Sequence, residues 1–372
     1  MTKHSIPLGR LFGIPIGLDY SWFLIFGLMT WTLAIGYYPN EFQGWSSTVY
    51  WLLGAITAIL LFGSVLLHEL GHSLVALYYK IPVRRITLFI FGGVAQIGAE
   101  SPTASAEFFI AIAGPVVSFL LGILFSLLKP WLHNFPPAFA LFKYLAFLNL
   151  GLAIFNLIPG FPLDGGRVLR AILWGVTQSM RKATIMAANV GRFIAFLFIF
   201  FGVWQILIGH FLNGLWIVFI GWFLDGAASA QIQQLFVQRL LSGHTVAQAM
   251  NPNYISIPYD ISIQELIEQH IFGHGKRCFI VQKNGQAVGF ITLHHIKNVP
   301  SNLRNSTTAE KVMTSLKEVK AVTPQTELQA ALDFMDRDGV NQLPVISDSK
   351  VLGMLSREDV VSYLRMLQEL EG

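Results

Sequence analysis

The stretch LLHELGH, Leu66–His72, lies inside a run of apolar residues long enough to cross a bilayer. Each charged or strongly polar side chain near the centre of a membrane helix costs on the order of 2.5–3.5 kcal/mol. Two histidines and a glutamate so close together therefore need a reason. His68 and His72 stand at i and i+4, so a helix presents them on one face. Both imidazoles can reach one Zn²⁺, and Glu69 beside them can serve as the base for a water molecule on that ion. The competing reading is three polar residues packed by neighbouring helices, since a short pattern with three fixed positions also arises by chance.

The rest of the chain fits a membrane setting. Of 372 residues, 53% are hydrophobic and 12% charged, against about 25% charged in soluble domains. Residues 1–240 carry 20 Asp, Glu, Lys and Arg and a net charge of +6; residues 241–372 carry 26 and a net charge of −2. The first part reads as membrane, the second as a soluble domain. The basic residues fall in loops between apolar spans, which argues against nucleic acid as a partner. Cys278 is the single cysteine, so one chain can form neither a disulfide nor a thiolate metal site. The N-terminal stretch has Lys3 and Arg10 but no small-x-small cleavage site, and it reads as an uncleaved first span.

Spans of about 20 apolar residues are expected at Leu18–Tyr37, Val49–Tyr79, Ala104–Leu128, Phe139–Ile158, Phe193–Gly209 and Leu212–Gln231. With the N-terminus inside, eleven Lys and Arg fall on the cytoplasmic side (Lys3, Arg10, Lys80, Arg84, Arg85, Arg167, Arg170, Arg181, Lys182, Arg192 and Arg239) and two, Lys129 and Lys143, outside. This bias predicts a multi-pass cell-membrane protein with both termini and the soluble part in the cytoplasm. RRITLFIFGGVAQIG, Arg84–Gly98, reads as a hairpin centred on Gly92-Gly93, either on the cytoplasmic surface or partly embedded. NLIPGFPLDGGR, Asn156–Arg167, reads as a broken segment ending span four; such backbone persists at membrane depth only where protein or water surrounds it.

A catalytic zinc needs a third protein ligand and an open position. Asp19 and Asp225 lie near span ends, whereas the topology puts Asp164 at about the depth of His68 and His72. The other reading of LDGGR is a turn cap. His4, His133 and His210 have no partner at useful spacing and read as interfacial.

With HELGH, FGGVAQI, AGPVVS (Ala113–Ser118) and NLIPGFPLDGGR in hand, residues 5–230 resemble the site-2 proteases, intramembrane zinc metalloproteases. The resemblance implies His68, His72 and Asp164 as zinc ligands, Glu69 as the residue that activates water, and Asn156 near the metal, steadying the oxyanion. It also implies that the hairpin's edge strand holds an unwound substrate segment by strand addition. One position departs: the family often has Gly-Pro-x-x-Asn where this chain has Gly114-Pro115-Val116-Val117-Ser118, which bears on local packing or substrate contacts.

The tail repeats itself. VAQAMNPNYISIPYDISIQELI parallels AEKVMTSLKEVKAVTPQTELQAAL, and CFIVQKNGQAVGFITLHHI parallels LPVISDSKVLGMLSREDV. Gly289 and Gly353 are 64 apart, Met250 and Met313 63 apart. Residues 245–302 and 308–370 thus resemble a tandem pair of cystathionine β-synthase (CBS) domains. The resemblance implies ATP or another adenine nucleotide in the cleft between repeats, its ribose held by a Ser/Thr with an Asp three residues on. Ser356 and Asp359 supply that pair, whereas the first repeat has Thr292 but His295, so one competent site is expected. The other reading is a module that only pairs chains into a homodimer.

The expected fold is a polytopic α-helical membrane protein over residues 1–240, six spans and a membrane-associated β-hairpin, followed by a cytoplasmic α/β tandem CBS pair. The expected function is zinc-dependent cleavage of single-span membrane proteins within the bilayer, as in regulated intramembrane proteolysis, modulated by nucleotide. A CBS-regulated transporter predicts inverted repeats, which residues 1–240 lack. A membrane zincin with its catalytic helix outside the bilayer core needs a downstream Glu ligand where this chain has Asp164.

Overall fold

Long apolar sequences form helices here because every backbone polar group is then satisfied within its own segment. In the computed structural model the described residues are 5–272, 278–316, 318–348 and 350–371; Lys3 and His4 lie outside them. They divide into two units at Gln233/Gln234. Among them, six helices are long and apolar enough to span a membrane: α1 (Ser21–Glu41), α2 (Ser47–Tyr78), α3 (Ala104–Leu132), α4 (Pro136–Asn156), α6 (Met180–Leu207) and α7 (Phe211–Leu241). A shorter helix, α5 (Asp164–Thr177), lies between α4 and α6. The number of spans is as expected. Several helices run beyond the expected apolar windows because their polar ends pack on protein or are capped. The Ser179 hydroxyl, for instance, accepts from Lys182 N–H and starts α6 thirteen residues before Phe193. Such caps contribute about 1 kcal/mol each.

Helices cross where glycine removes a side chain. A Cβ on Gly71 of α2 would meet the Ala113 carbonyl oxygen of α3 at 3.0 Å. This is how membrane helices gain packing without a hydrophobic driving force.

The hairpin expectation needs two corrections. The turn falls at Ile90–Phe91, so Gly92, with φ 122°, opens the second strand rather than the turn. The hairpin is also half of a larger sheet. Strands β1 (Ser5–Leu11), β2 (Ile14–Asp19), β3 (Val83–Phe89) and β4 (Gly92–Ile97) form one sheet in that order. β2 runs parallel to β3 and the other pairs are antiparallel. Span one accordingly starts at Ser21 rather than Leu18, since Leu18 pairs with Ile6 and Leu88. The buried face of the sheet, Ile14 and Ile86, packs on Leu70 of α2, two residues from His68.

The broken segment is shorter than its sequence suggests. Only residues 157–163 are irregular, and Asp164 opens α5. Gly165 and Gly166 pack against the backbone just before them: a Cβ on Gly165 would meet the Leu157 and Ile158 carbonyl oxygens at 2.4 Å each.

In the second unit, β5 (Ser256–Pro258), β6 (Cys278–Lys283), β7 (Gln286–Thr292) and β8 (Thr314–Ser315) form one sheet, and β9 (Gln342–Ser347) pairs with β10 (Lys350–Ser356). The two repeats exchange edges. β8, from the start of the second repeat, pairs with β7 of the first; Asn251, from the start of the first, bridges to Met354 of the second. The sequence spacing marks the same joint. A Cβ on Gly289 would strike Met313 Sδ at 2.5 Å, and one on Gly353 would meet Asn251 O at 2.8 Å and Met250 Sδ at 3.3 Å.

Candidate metal centre

α2 carries His68 and His72 one turn apart on its buried face; their side chains are each about 5% exposed. Asp164, first residue of α5, meets both. Its Oδ2 lies 3.1 Å from His68 Nε2 and 3.2 Å from His72 Nε2, and the two Nε2 atoms are 3.2 Å apart. Zinc–nitrogen and zinc–oxygen bonds of about 2.0–2.1 Å in a tetrahedron separate ligand atoms by about 3.3 Å. The triangle has that size. Among the described residues this trio is the one group able to hold a metal ion.

The ring orientations come from α3. His72 Nδ1 lies 2.6 Å from the Ile110 carbonyl oxygen, which can only accept, so the proton sits on Nδ1 and Nε2 faces the trio. His68 Nδ1 lies 2.9 Å from Ser118 Oγ, which can accept likewise. Between these two turns stands Gly114. A Cβ there would lie 2.2 Å from His72 Nε2 and 2.6 Å from His68 Nε2, so the missing side chain leaves the volume onto which both nitrogens converge. A buried two-His, one-carboxylate donor set with that cradle fits a zinc ion.

Glu69 lies on the neighbouring face of α2, half-buried, and its Oε2 accepts from Ala95 N–H of β4 at 3.1 Å. β4 is one of the two edge strands of its sheet. Gly93 permits this approach, since a Cβ there would meet Glu69 Cγ at 2.6 Å. The carboxylate therefore sits beside the trio and on a strand edge.

The other sequence candidates fall elsewhere. Asn156 ends α4, half-buried, and its side chain makes no hydrogen bond among the described residues. Asp19 accepts from Ser21 N–H and Oγ–H at the start of α1, and Asp225 pairs with Arg192 at 3.0 Å. Ser118, where the family often has Asn, keeps the ability to hydrogen-bond and uses it on the His68 ring. Sequence reading passed over Glu107 altogether. This 1% exposed carboxylate near the start of α3 binds Arg167 and Arg170 of α5. The signal was present, since a carboxylate inside a span is rare without a partner.

In the second unit, Asp359 Oδ2 accepts from Ser356 N–H (2.8 Å) and Oγ–H (2.6 Å), and Asp359 N–H donates to Ser356 Oγ (3.1 Å). They line a cavity of about 120 Å³ with Asn251, Tyr254 and Cys278. Ser356 also lines a larger one, about 680 Å³, with Thr292, His295 and Arg357. At the matching place in the first repeat His295 is tied at both nitrogens: Nδ1 accepts from Thr292 N–H (3.2 Å) and Nε2 lies 3.3 Å from Thr314 Oγ1. Burial, then the neighbouring His294, pushes its pKa down, which favours the neutral ring.

Residues 56–133 and 133–200 match Peptidase family M50, and residues 246–302 and 309–366 match the CBS domain. The chain is 36% identical to sll0528 of Synechocystis sp., which bears a zinc metalloprotease name, over 98% of this chain and 96% of that one. It is 30% identical to the zinc metalloprotease MJ0392 of Methanocaldococcus jannaschii, over 98% of each. Among solved structures it is similar to the site-2 protease from Methanocaldococcus jannaschii, with 34% identity and a TM-score of 0.42, over 62% of this chain and 95% of that one.

Proposed function

Since the chain belongs to Peptidase family M50, and is a multi-pass zinc metalloprotease with a tandem CBS pair, we propose that it cleaves single-span proteins within their membrane segments and that an adenine nucleotide on the CBS pair modulates the cleavage. The observation that carries the proteolytic reading is the convergence of His68, His72 and Asp164 with Glu69 beside them. His68, His72 and Asp164 would hold the zinc, and a metal bound there would supply Lewis-acid chemistry for the scissile carbonyl and a more acidic water. Glu69 takes the proton of the attacking water and passes it to the leaving amine. An unwound substrate segment adds to the β4 edge, which brings its backbone next to Glu69. Asn156, at the end of α4, steadies the oxyanion. The positive-inside bias supports a cytoplasmic location for both termini and the CBS pair.

One nucleotide site per pair is the reading that Ser356 and Asp359 support. Asp359 Oδ1 has no partner among the described residues, so it is open to a ribose hydroxyl, whereas His295 is already engaged on both sides. A ligand shifts activity only by its differential affinity for two states; here the states are two packings of the repeats. Pairing of chains through the CBS domains is compatible with this.

The test is cleavage of candidate single-span proteins by purified wild-type and Glu69→Gln protein, with and without ATP. Glu69→Gln is expected to lose ~10²–10⁴-fold in turnover while keeping its zinc by elemental analysis. Substantial turnover in folded Glu69→Gln refutes the catalytic assignment. ATP is expected to change the wild-type rate and leave Asp359→Ala unaffected. ATP binding without any change in rate would make the tail a docking or assembly module.

A further inference from the structure

Glu107 is a carboxylate with a 1% exposed side chain inside the helix that orients the metal ligands. Glu107, Ile110, Gly114 and Ser118 stand at i, i+3, i+7 and i+11, one face of α3. The last three act on the histidines directly, by two hydrogen bonds and a gap. Glu107 acts on the other side of the site. Its Oε1 accepts from Arg167 Nε at 3.0 Å and from Arg170 Nη2; its Oε2 accepts from Arg167 Nη2 at 3.4 Å and from Ser101 Oγ. Arg167 lies three residues after Asp164. The Arg170 guanidinium stacks 5.3 Å from the ring centroid of Phe161, three residues before Asp164. The network thus grips the chain on both sides of Asp164 and ties it to the helix that sets both imidazoles.

Resting on Asp164 as the third ligand, we propose that Glu107 is a positioning residue for the metal: by clamping Arg167 and Arg170 it fixes where Asp164 meets His68 and His72. A planar guanidinium fork fixes orientation as well as charge, and outer partners of metal ligands carry that kind of control. If the cluster served only to neutralise charges in the membrane, its loss would lower the stability of the fold and leave the zinc affinity of folded protein alone.

The experiment uses the full chain in lipid nanodiscs. Zinc affinity is measured by competition with a chromogenic chelator on the folded fraction, and kcat and KM are measured with a single-span substrate. Glu107→Gln is expected to weaken zinc binding ~10–100-fold and to lower kcat with little change in KM. Arg167→Lys keeps the cytoplasmic positive charge but not the fork, so it reads the same quantity if Glu107→Gln fails to fold. Wild-type zinc affinity in folded Glu107→Gln, or in Arg167→Lys alone when Glu107→Gln does not fold, overturns the proposal, provided Asp164→Ala loses zinc. Wild-type affinity in Asp164→Ala overturns the ligand assignment beneath it.

Discussion

Replacing Gly114 by alanine presses on the centre where it has least room. The new methyl would stand 2.2 Å from His72 Nε2 and 2.6 Å from His68 Nε2, against about 3.5 Å for comfortable contact. Each ring would have to retreat by about 1 Å or more. Neither can do so freely. His72 is held by Ile110 O at 2.6 Å and His68 by Ser118 Oγ at 2.9 Å, both on the same helix as the intruding methyl. Retreat therefore breaks the bonds that aim the rings. Losing one such partner costs ~10–100-fold in metal affinity; losing both costs ~10²–10⁴-fold, about 2.7–5.5 kcal/mol. Overpacking of the α2–α3 contact adds about 1–3 kcal/mol against the fold. The assay is chelator competition for zinc, with a thermal melt to score folding. Gly63→Ala is the control, because a Cβ there has nothing within 4 Å. Folded Gly114→Ala with unchanged zinc affinity and turnover would refute the reasoning, since the cradle would then lie elsewhere.

Ser118→Ala leaves the His68 ring without its partner and should weaken zinc ~10–100-fold with an unchanged melt; Ser118→Asn, which can still accept, should recover most of it, and equal zinc affinity in all three proteins would contradict the role. Gly353→Ala drives a methyl against the Asn251 carbonyl at 2.8 Å and should lower the stability of the tail by about 1–3 kcal/mol, read by denaturant unfolding, while the zinc content stays at the wild-type level. Burial pushes the Cys278 thiol up to about 12, so at pH 8 roughly one in 10⁴ is thiolate, the reactive form. Iodoacetamide should label the native protein slowly and the denatured protein fast; equal rates would show that the thiol is not buried.

Much of this molecule is legible in its sequence because the membrane narrows the choices. Hydrocarbon-length runs can only be helices or barrels, so the spans follow from composition, and polar residues inside them stand out. His68 and His72 were visible for that reason, whereas Asp164, outside the apolar runs, was visible by its depth in the topology and by the LDGGR motif. Strands β1 and β2 were not. SIPLGRL and IPIGLD are short, rich in glycine and proline, and owe their strand state to pairing: IPIGLD lies along residues 86–88, and SIPLGRL lies along IPIGLD, a context that local propensity does not carry. Ser118 was visible as a deviation, but its partner lies 50 residues away. The repeats announced themselves by spacing, yet the spacing did not say that each methionine packs on the glycine of the other repeat.

The separation of 96 positions from His68 to Asp164 also sets a timetable for biosynthesis. A ribosome adding about 5–20 residues per second needs on the order of 5–20 s to go from the first ligand to the last. During that interval α2 is complete, and its two histidines are a half-made site. Helices α3 and α4 must be inserted, and α5 must fold back against Glu107, before the third ligand is in place. On the proposed ligand set, the nascent chain would therefore become competent to take up its metal only after four spans have left the translocation machinery.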